Sequence, residues 1–157
     1  MSKSIVTDFG ADPTFASDST AALTAAAACA TDQVFWDVGK YKISAPIPFK
    51  TPGYHYGAPG MSIVCTTSAS DDQFQVQTSG LGLRGLTFQS AVPRTGGAAI
   101  NVLDGTSFLT VEDYRMDGAF IGVLLSPFAG AGMAILVTAF ALFTDSLRDA
   151  LDPKLNA

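Results

Sequence analysis

The stretch Ser4-Ile-Val-Thr-Asp-Phe-Gly-Ala-Asp12, with Asp18-Ser-Thr-Ala-Ala-Leu23 after it, constrains the fold more than any other part of the chain. An extended segment is expected to end at Gly10, since glycine enters the left-handed backbone region without steric cost. Asp18 or Ser19 then offers an N-cap for a helix over about residues 19–30. Alanine fills that window, so helix propensity is high, and Leu23 is its one large apolar anchor. Next comes Val34-Phe-Trp-Asp-Val-Gly-Lys-Tyr-Lys-Ile-Ser44, two β-rich runs around a turn near Gly39. Tyr41 and Ile43 alternate with Lys40, Lys42 and Ser44, the period of a half-buried strand.

Four prolines, Pro46, Pro48, Pro52 and Pro59, predict a loop-rich stretch without long regular strands. From residue 61 onward the pattern is short strands between turns. The candidates are Ser62–Cys65, Gln73–Gln77, Leu81–Gln89, Ala98–Leu103, Ser107–Met116 and Phe120–Leu125. Gly97-Ala-Ala-Ile-Asn-Val-Leu103 and Gly118-Ala-Phe-Ile-Gly-Val-Leu124 look related at an offset of 21 positions, a solenoid-like period. A solenoid coil cannot bury its apolar face alone, so about three or more must stack. Residues 34–125 supply roughly four or five coils of ~21 residues.

The opening segment, the alanine-rich helix and the strand–glycine–aromatic strand after it resemble the start of the pectate-lyase-like right-handed parallel β-helix proteins, which include phage tailspikes and polysaccharide depolymerases. The likeness covers about residues 4–125, and Asp37 stands where the family usually has proline. It implies a mainly β chain: a short right-handed parallel β-helix with an N-terminal capping α-helix. It further implies polysaccharide as the partner, a homo-oligomer such as a trimer, and a virion-associated setting if the chain is phage-derived. Full family members are several times longer. The expectation is therefore an N-terminal portion suited to binding or assembly, with polysaccharide lyase or glycoside hydrolase chemistry if it is active. A structural attachment module of a larger particle is the alternative.

The last thirty residues follow another pattern. No charged residue lies between Gly118 and Thr144, and Val123–Phe143 is just long enough for a membrane span of about 20 apolar residues. The following Thr144-Asp-Ser-Leu-Arg-Asp-Ala-Leu-Asp-Pro-Lys-Leu155 resembles the C-terminus of the permease subunits of peptide ABC transporters. Asp145, Leu147, Arg148, Asp149, Leu151, Asp152 and Pro153 match that motif, while Thr144 replaces its glycine and Lys154 its arginine. Two units follow from this: residues 1–126 as the β-helix segment, and 127–157 as an apolar C-terminal helix with a charged tail. That helix either crosses an inner membrane through residues 123–143 or covers the β-stack, and a fusion of reading frames would explain both likenesses.

Composition narrows the partners. Only 15% of residues are charged and 48% are hydrophobic, too apolar for a disordered chain. The net charge is −5 and the nine basic residues are scattered, which excludes the clustered basic footprint of a nucleic-acid binder. Met1-Ser-Lys-Ser-Ile-Val6 lacks the apolar core of a secretory signal, so synthesis in the cytoplasm is expected. Cys29 and Cys65 lack metal-type spacing, and His55 does not complete a zinc site with them. They are expected to pack as buried thiols.

Chemistry on this fold uses carboxylates, and glycoside hydrolysis needs two of them about 5–9.5 Å apart. Asp113, Arg115 and Asp117 fall on or just after one predicted strand, where alternation puts them on the same side. They are the catalytic candidates, with a solvated charged face as the competing reading. Trp36, Tyr54, His55 and Tyr56 are candidates for stacking on sugar rings, or else core aromatics. Asp71-Asp72 is a calcium candidate only with nearby carbonyls, because that ion takes six to eight oxygens, and a turn is the simpler reading. No metal or other cofactor is otherwise indicated. Gly80-Leu-Gly-Leu-Arg-Gly85 imitates a dinucleotide motif, but no helix is predicted after it.

Overall fold

The computed structural model describes residues 2–29, 33–103 and 105–126, together with the backbone of Ile135–Val137. Its strands are β1 (Lys3–Ser4), β2 (Thr14–Asp18), β3 (Gln33–Trp36), β4 (Gly39–Ile43), β5 (Ile47–Phe49) and β6 (Gly53–Gly57). They continue as β7 (Ser62–Thr66), β8 (Phe74–Val76), β9 (Leu81–Arg84), β10 (Leu86–Ser90) and β11 (Ala98–Val102). The last are β12 (Leu109–Glu112), β13 (Arg115–Asp117), β14 (Ile121–Leu125) and β15 (Ile135–Val137). One helix, α1 (Thr20–Ala27), lies between β2 and β3.

From β3 onward every third strand joins the same sheet, and the pairings are parallel. Sheet 1 has the order β1-β3-β6-β9-β12-β15, sheet 2 β13-β10-β7-β4-β2, and sheet 3 β14-β11-β8-β5. The chain thus winds as a parallel β-solenoid of about 4 turns, as the turn-punctuated strands predict. Turn length is not constant. Val34 pairs with His55, 21 positions on, whereas Tyr54 pairs with Gly82, 28 positions on. The two segments offset by 21 positions do stack, but with Ala98 opposite Ile121, 23 positions apart. Gly97 and Gly118 both turn the chain at positive φ; two more residues follow Gly118 before its strand begins.

Alternation along each strand sends one set of side chains inward, and stacking turns those sets into ladders. Ile47, Phe74, Ile100 and Val123 form one ladder of sheet 3, with Phe49, Val76, Val102 and Leu125 beside it. Tyr41, Val64, Phe88 and Met116 form the ladder of sheet 2. In sheet 1 the ladder runs Val34, His55, Leu83, Val111. Helix α1 packs against β5 and buries Leu23, Ala26 and Ala27, covering one end of the stack. At the other end β13 and β14 are the last strands of their sheets among the described residues. Leu125 there is 46% exposed.

Several expectations need correction. The opening segment is extended only at Lys3–Ser4; residues 5–9 form turns closed by Asp8 N–H to Ser4 O and Gly10 N–H to Val6 O. Asp37 holds that turn in place, accepting from the Ser4 hydroxyl at 2.7 Å and from Val6 N–H at 3.2 Å. Helix α1 stops at Ala27 rather than near residue 30. Asp18 caps it by accepting from Thr20 N–H at 2.9 Å, while the Ser19 hydroxyl accepts from Asp12 N–H instead. Cys65 is buried but Cys29 only half-buried. The proline-rich stretch holds two strands, β5 and β6; Pro48 is tolerated because β5 is an edge strand.

The C-terminal apolar helix is not supported. Ile121–Leu125 and Ile135–Val137 are strands, the second pairing with β12 through Leu109 opposite Ile135. Among the described residues no helix is long and apolar enough to cross a membrane. An apolar run reads alike as buried strand or helix, and here stacking on β12 decides it. The rest of Val123–Phe143 and the permease-like Thr144–Leu155 lie outside the described residues.

The predicted strand Leu81–Gln89 breaks at Gly85, φ 68°, where the chain leaves sheet 1 for sheet 2. A Cβ at that position would stand 2.3 Å from the Gly57 carbonyl oxygen. Gly85→Ala is expected to cost about 2 kcal/mol, from left-handed backbone strain and that clash together. Urea denaturation measures it; a loss below roughly 0.5 kcal/mol would show that the corner relaxes freely.

Candidate functional site

The outer face of sheet 1 gathers three half-buried aromatic rings, Phe35, Tyr54 and Tyr56, beside the Arg84 guanidinium. Its centre is β6, whose alternation places His55 inside, at 1% exposure, and Tyr54 and Tyr56 outside. Their ring centroids lie 6.0 Å apart with planes at 27°, and Phe35 of β3 stands 5.3 Å from Tyr56. Across the sheet, Tyr54 is in register with Gly82 and Tyr56 with Arg84. Gly82 matters by what it lacks: a Cβ there would be 2.3 Å from the Tyr54 ring, so glycine lets the ring lie over β9. The Tyr56 hydroxyl is anchored by the Ser2 hydroxyl at 3.0 Å.

Tyr54 is the shared wall of two open depressions. One, of about 330 Å³, is floored by Gly53, Gly80 and Gly82 and flanked by Phe108, which is 75% exposed. The other, of about 220 Å³, lies among Tyr54, Tyr56, Pro59 and Arg84. Arg84 Nε meets Asp113 Oδ2 at 2.9 Å and Glu112 Oε2 at 3.9 Å. The hydrogen bond to Asp113, and after it the Tyr54 phenol, hold the guanidinium charged even more firmly than an ordinary arginine.

The catalytic candidates do not form one cluster. The predicted strand Ser107–Met116 turns a corner at Asp113, φ 49°, between β12 and β13. Asp113 therefore reaches back to Arg84 on sheet 1, whereas Arg115 and Asp117 lie on sheet 2. There Arg115 Nε bonds Asp117 at 2.9 Å and lowers its carboxyl pKa, with Gln89 donating to the same carboxyl at 3.4 Å. Both ion pairs are open to water and add little stability. The Glu112 and Asp113 side chains are 37% and 51% exposed, and both face the Arg84 guanidinium.

The four aromatic candidates divide in the same way. Trp36, fully buried, and His55 sit in the core, with Trp36 Nε1–H donating to His55 Nδ1 at 3.3 Å. Neither can stack on a sugar from there; Tyr54 and Tyr56 can. Phe35, Arg84 and Phe108 complete the face, and of these Phe35 and Phe108 were missed by sequence reasoning. Period-2 alternation from Trp36 would have found Phe35, but Arg84 and Phe108 emerge only from stacking between turns.

Asp71-Asp72 is a turn staple. Asp72 accepts from Ala98 N–H at 2.9 Å, Asn101 Nδ2 at 2.8 Å and Gln75 Nε2 at 3.1 Å. Arg94 takes the neighbouring Ser68 and Asp71 carbonyl oxygens. Oxygens a calcium ion would need are thus engaged by N–H donors, and no group of three or more metal-ligating side chains occurs among the described residues. Strand β10, not a helix, follows Gly80–Gly85; Gly80 and Gly85 serve solenoid turns, while Gly82 lies within β9. No protein-family model, curated protein or solved structure matches this chain.

Proposed function

We propose that the outer face of sheet 1 binds a polysaccharide chain and that the protein acts as a glycan-recognition module, without a complete hydrolytic or lyase site. The observation that carries this reading is the pair of stacked tyrosines, Tyr54 and Tyr56, presented side by side from one rigid strand beside two open depressions. Aromatic rings give sugars a flat apolar surface, and Tyr keeps a hydroxyl for their polar edges. Neighbouring coils continue that surface along the solenoid axis, with Phe35 on one side and Gly82 and Arg84 on the other, a strip that an extended ligand can follow. The depolymerase-like proteins that the opening segment resembles bind glycans along such a face. The ion-paired, solvated carboxylates favour binding over cleavage.

Affinity electrophoresis through gels containing bacterial surface polysaccharides tests the reading. Retardation by at least one glycan is expected, and Tyr54→Ala should weaken it about tenfold, since a buried ring face is worth roughly 1–2 kcal/mol. Tyr54→Phe should retain most of the binding. Retardation unaffected by Tyr54→Ala and Tyr56→Ala together would remove this face from consideration.

A further inference from the structure

We propose that the chain bound on sheet 1 is uncharged, and that Tyr54 divides its seat into two adjacent sugar subsites; this rests on the glycan-binding reading above. The depressions on either side of Tyr54 measure about 330 and 220 Å³. Each lies near or below the lower limit for a drug-sized ligand, about 300 Å³, a size that suits one sugar ring rather than several. They share a wall, so two consecutive units of one chain can lie astride the Tyr54 ring.

Charge selects the class of sugar. Among the described residues, the depression bounded by Gly53, Gly80, Gly82 and Phe108 is lined by no carboxylate, ammonium or guanidinium group. The other has only Arg84, whose charge is already answered by Asp113 at 2.9 Å and Glu112 at 3.9 Å. The outward ladder positions of β3, β6, β9 and β12 are Gln33, Phe35, Tyr54, Tyr56, Gly82, Arg84, Thr110 and Glu112. With Asp113 added, these positions carry one positive and two negative charges. A uronate carboxylate that took the remaining Arg84 donors would stand beside the Asp113 and Glu112 carboxylates. Such like-charge juxtaposition disfavours the wrong partner. A sugar hydroxyl faces no such conflict, because a guanidinium has five N–H donors and its Nε alone goes to Asp113.

The full chain is titrated at low salt with a neutral set, galactan, mannan, β-glucan and their oligosaccharides, and with an anionic set, polygalacturonate and alginate. At least one neutral glycan is expected to bind about tenfold more tightly than either polyuronate, and its disaccharide about tenfold more tightly than its monosaccharide. Glu112→Gln with Asp113→Asn unmasks Arg84 and should raise affinity for polygalacturonate about tenfold. A polyuronate bound as tightly as every neutral glycan, or a double variant with no gain, overturns this inference while leaving glycan binding in place. Equal binding of monosaccharide and disaccharide overturns the paired subsites. Binding of no glycan in either set removes the glycan-binding reading and this inference with it.

Discussion

Phe74→Ala is expected to lower the stability of the chain by about 4 kcal/mol, near the upper part of the range for truncating a buried phenylalanine. The Phe74 ring is fully buried, and its contacts span the prism. It lies 4.8 Å from Phe49 in its own sheet, 5.0 Å edge-on from Phe88 of sheet 2, and 5.6 Å from Trp36 of sheet 1. Each such pair adds roughly 0.5–1.5 kcal/mol beyond the buried area. Truncation leaves a cavity where the three sheets meet, and parallel ladders cannot close it without breaking register. Phe35→Ala, a ring on the outer face, should cost under about 1 kcal/mol by the same measurement. Urea midpoints for the two variants give the comparison. A loss for Phe74→Ala no larger than that for Phe35→Ala would mean that the sheets do not depend on a common aromatic core.

The parts of this fold visible in the sequence are those in which local chemistry and stacking agree. From residue 62 onward short β-rich runs lie between turns, and β7, β8, β11 and β14 fall on those runs. The corners are less legible. Asp113 takes a positive φ that Asp tolerates, so no glycine marks the break between β12 and β13. Gly85, inside an apolar alternation, looks like a bulge within one strand, although it separates two sheets. Strand β6 was hidden by flanking prolines, whose penalty applies to interior N–H donors and not to the loops on either side. The site suffered most from this. Tyr54 and Tyr56 were recognisable as ring-bearing residues, but which of the Tyr54–His55–Tyr56 triplet faces out depends on register with Val34 and Leu83. A solenoid with turns of unequal length does not print that register in the sequence.

The same register gives the second large effect, a loss of stability in mild acid that traces to His55. This imidazole occupies a ladder position otherwise held by Val34, Leu83 and Val111, with the Phe49 ring edge-on at 4.9 Å and the Trp36 indole donating to Nδ1. An Nδ1 that accepts a hydrogen bond belongs to the neutral ring, and burial lowers the pKa from 6.5 to about 4. The unfolded chain therefore binds the proton first. Stability is insensitive to this group above about pH 6.5, falls as the pH drops from there toward 4, and is lower by about 3 kcal/mol once below 4. A carboxylate acts in a lower window: Asp12, held near pKa 2 by the Thr14 hydroxyl and by the Thr14 and Ser17 N–H groups, loses its contribution only as the pH falls from the unfolded value of 3.8 toward 2. Urea midpoints at pH 7, 5.5 and 4.5 should decline steeply for the native chain and stay nearly flat for His55→Leu. At pH 7 that variant should be less stable by about 1 kcal/mol, because the Trp36 indole N–H loses its acceptor. Near pH 4.5 the order should reverse, with the leucine variant the more stable of the two. An equal decline in both proteins would place the acid sensitivity elsewhere and leave His55 as an inert member of the sheet 1 ladder.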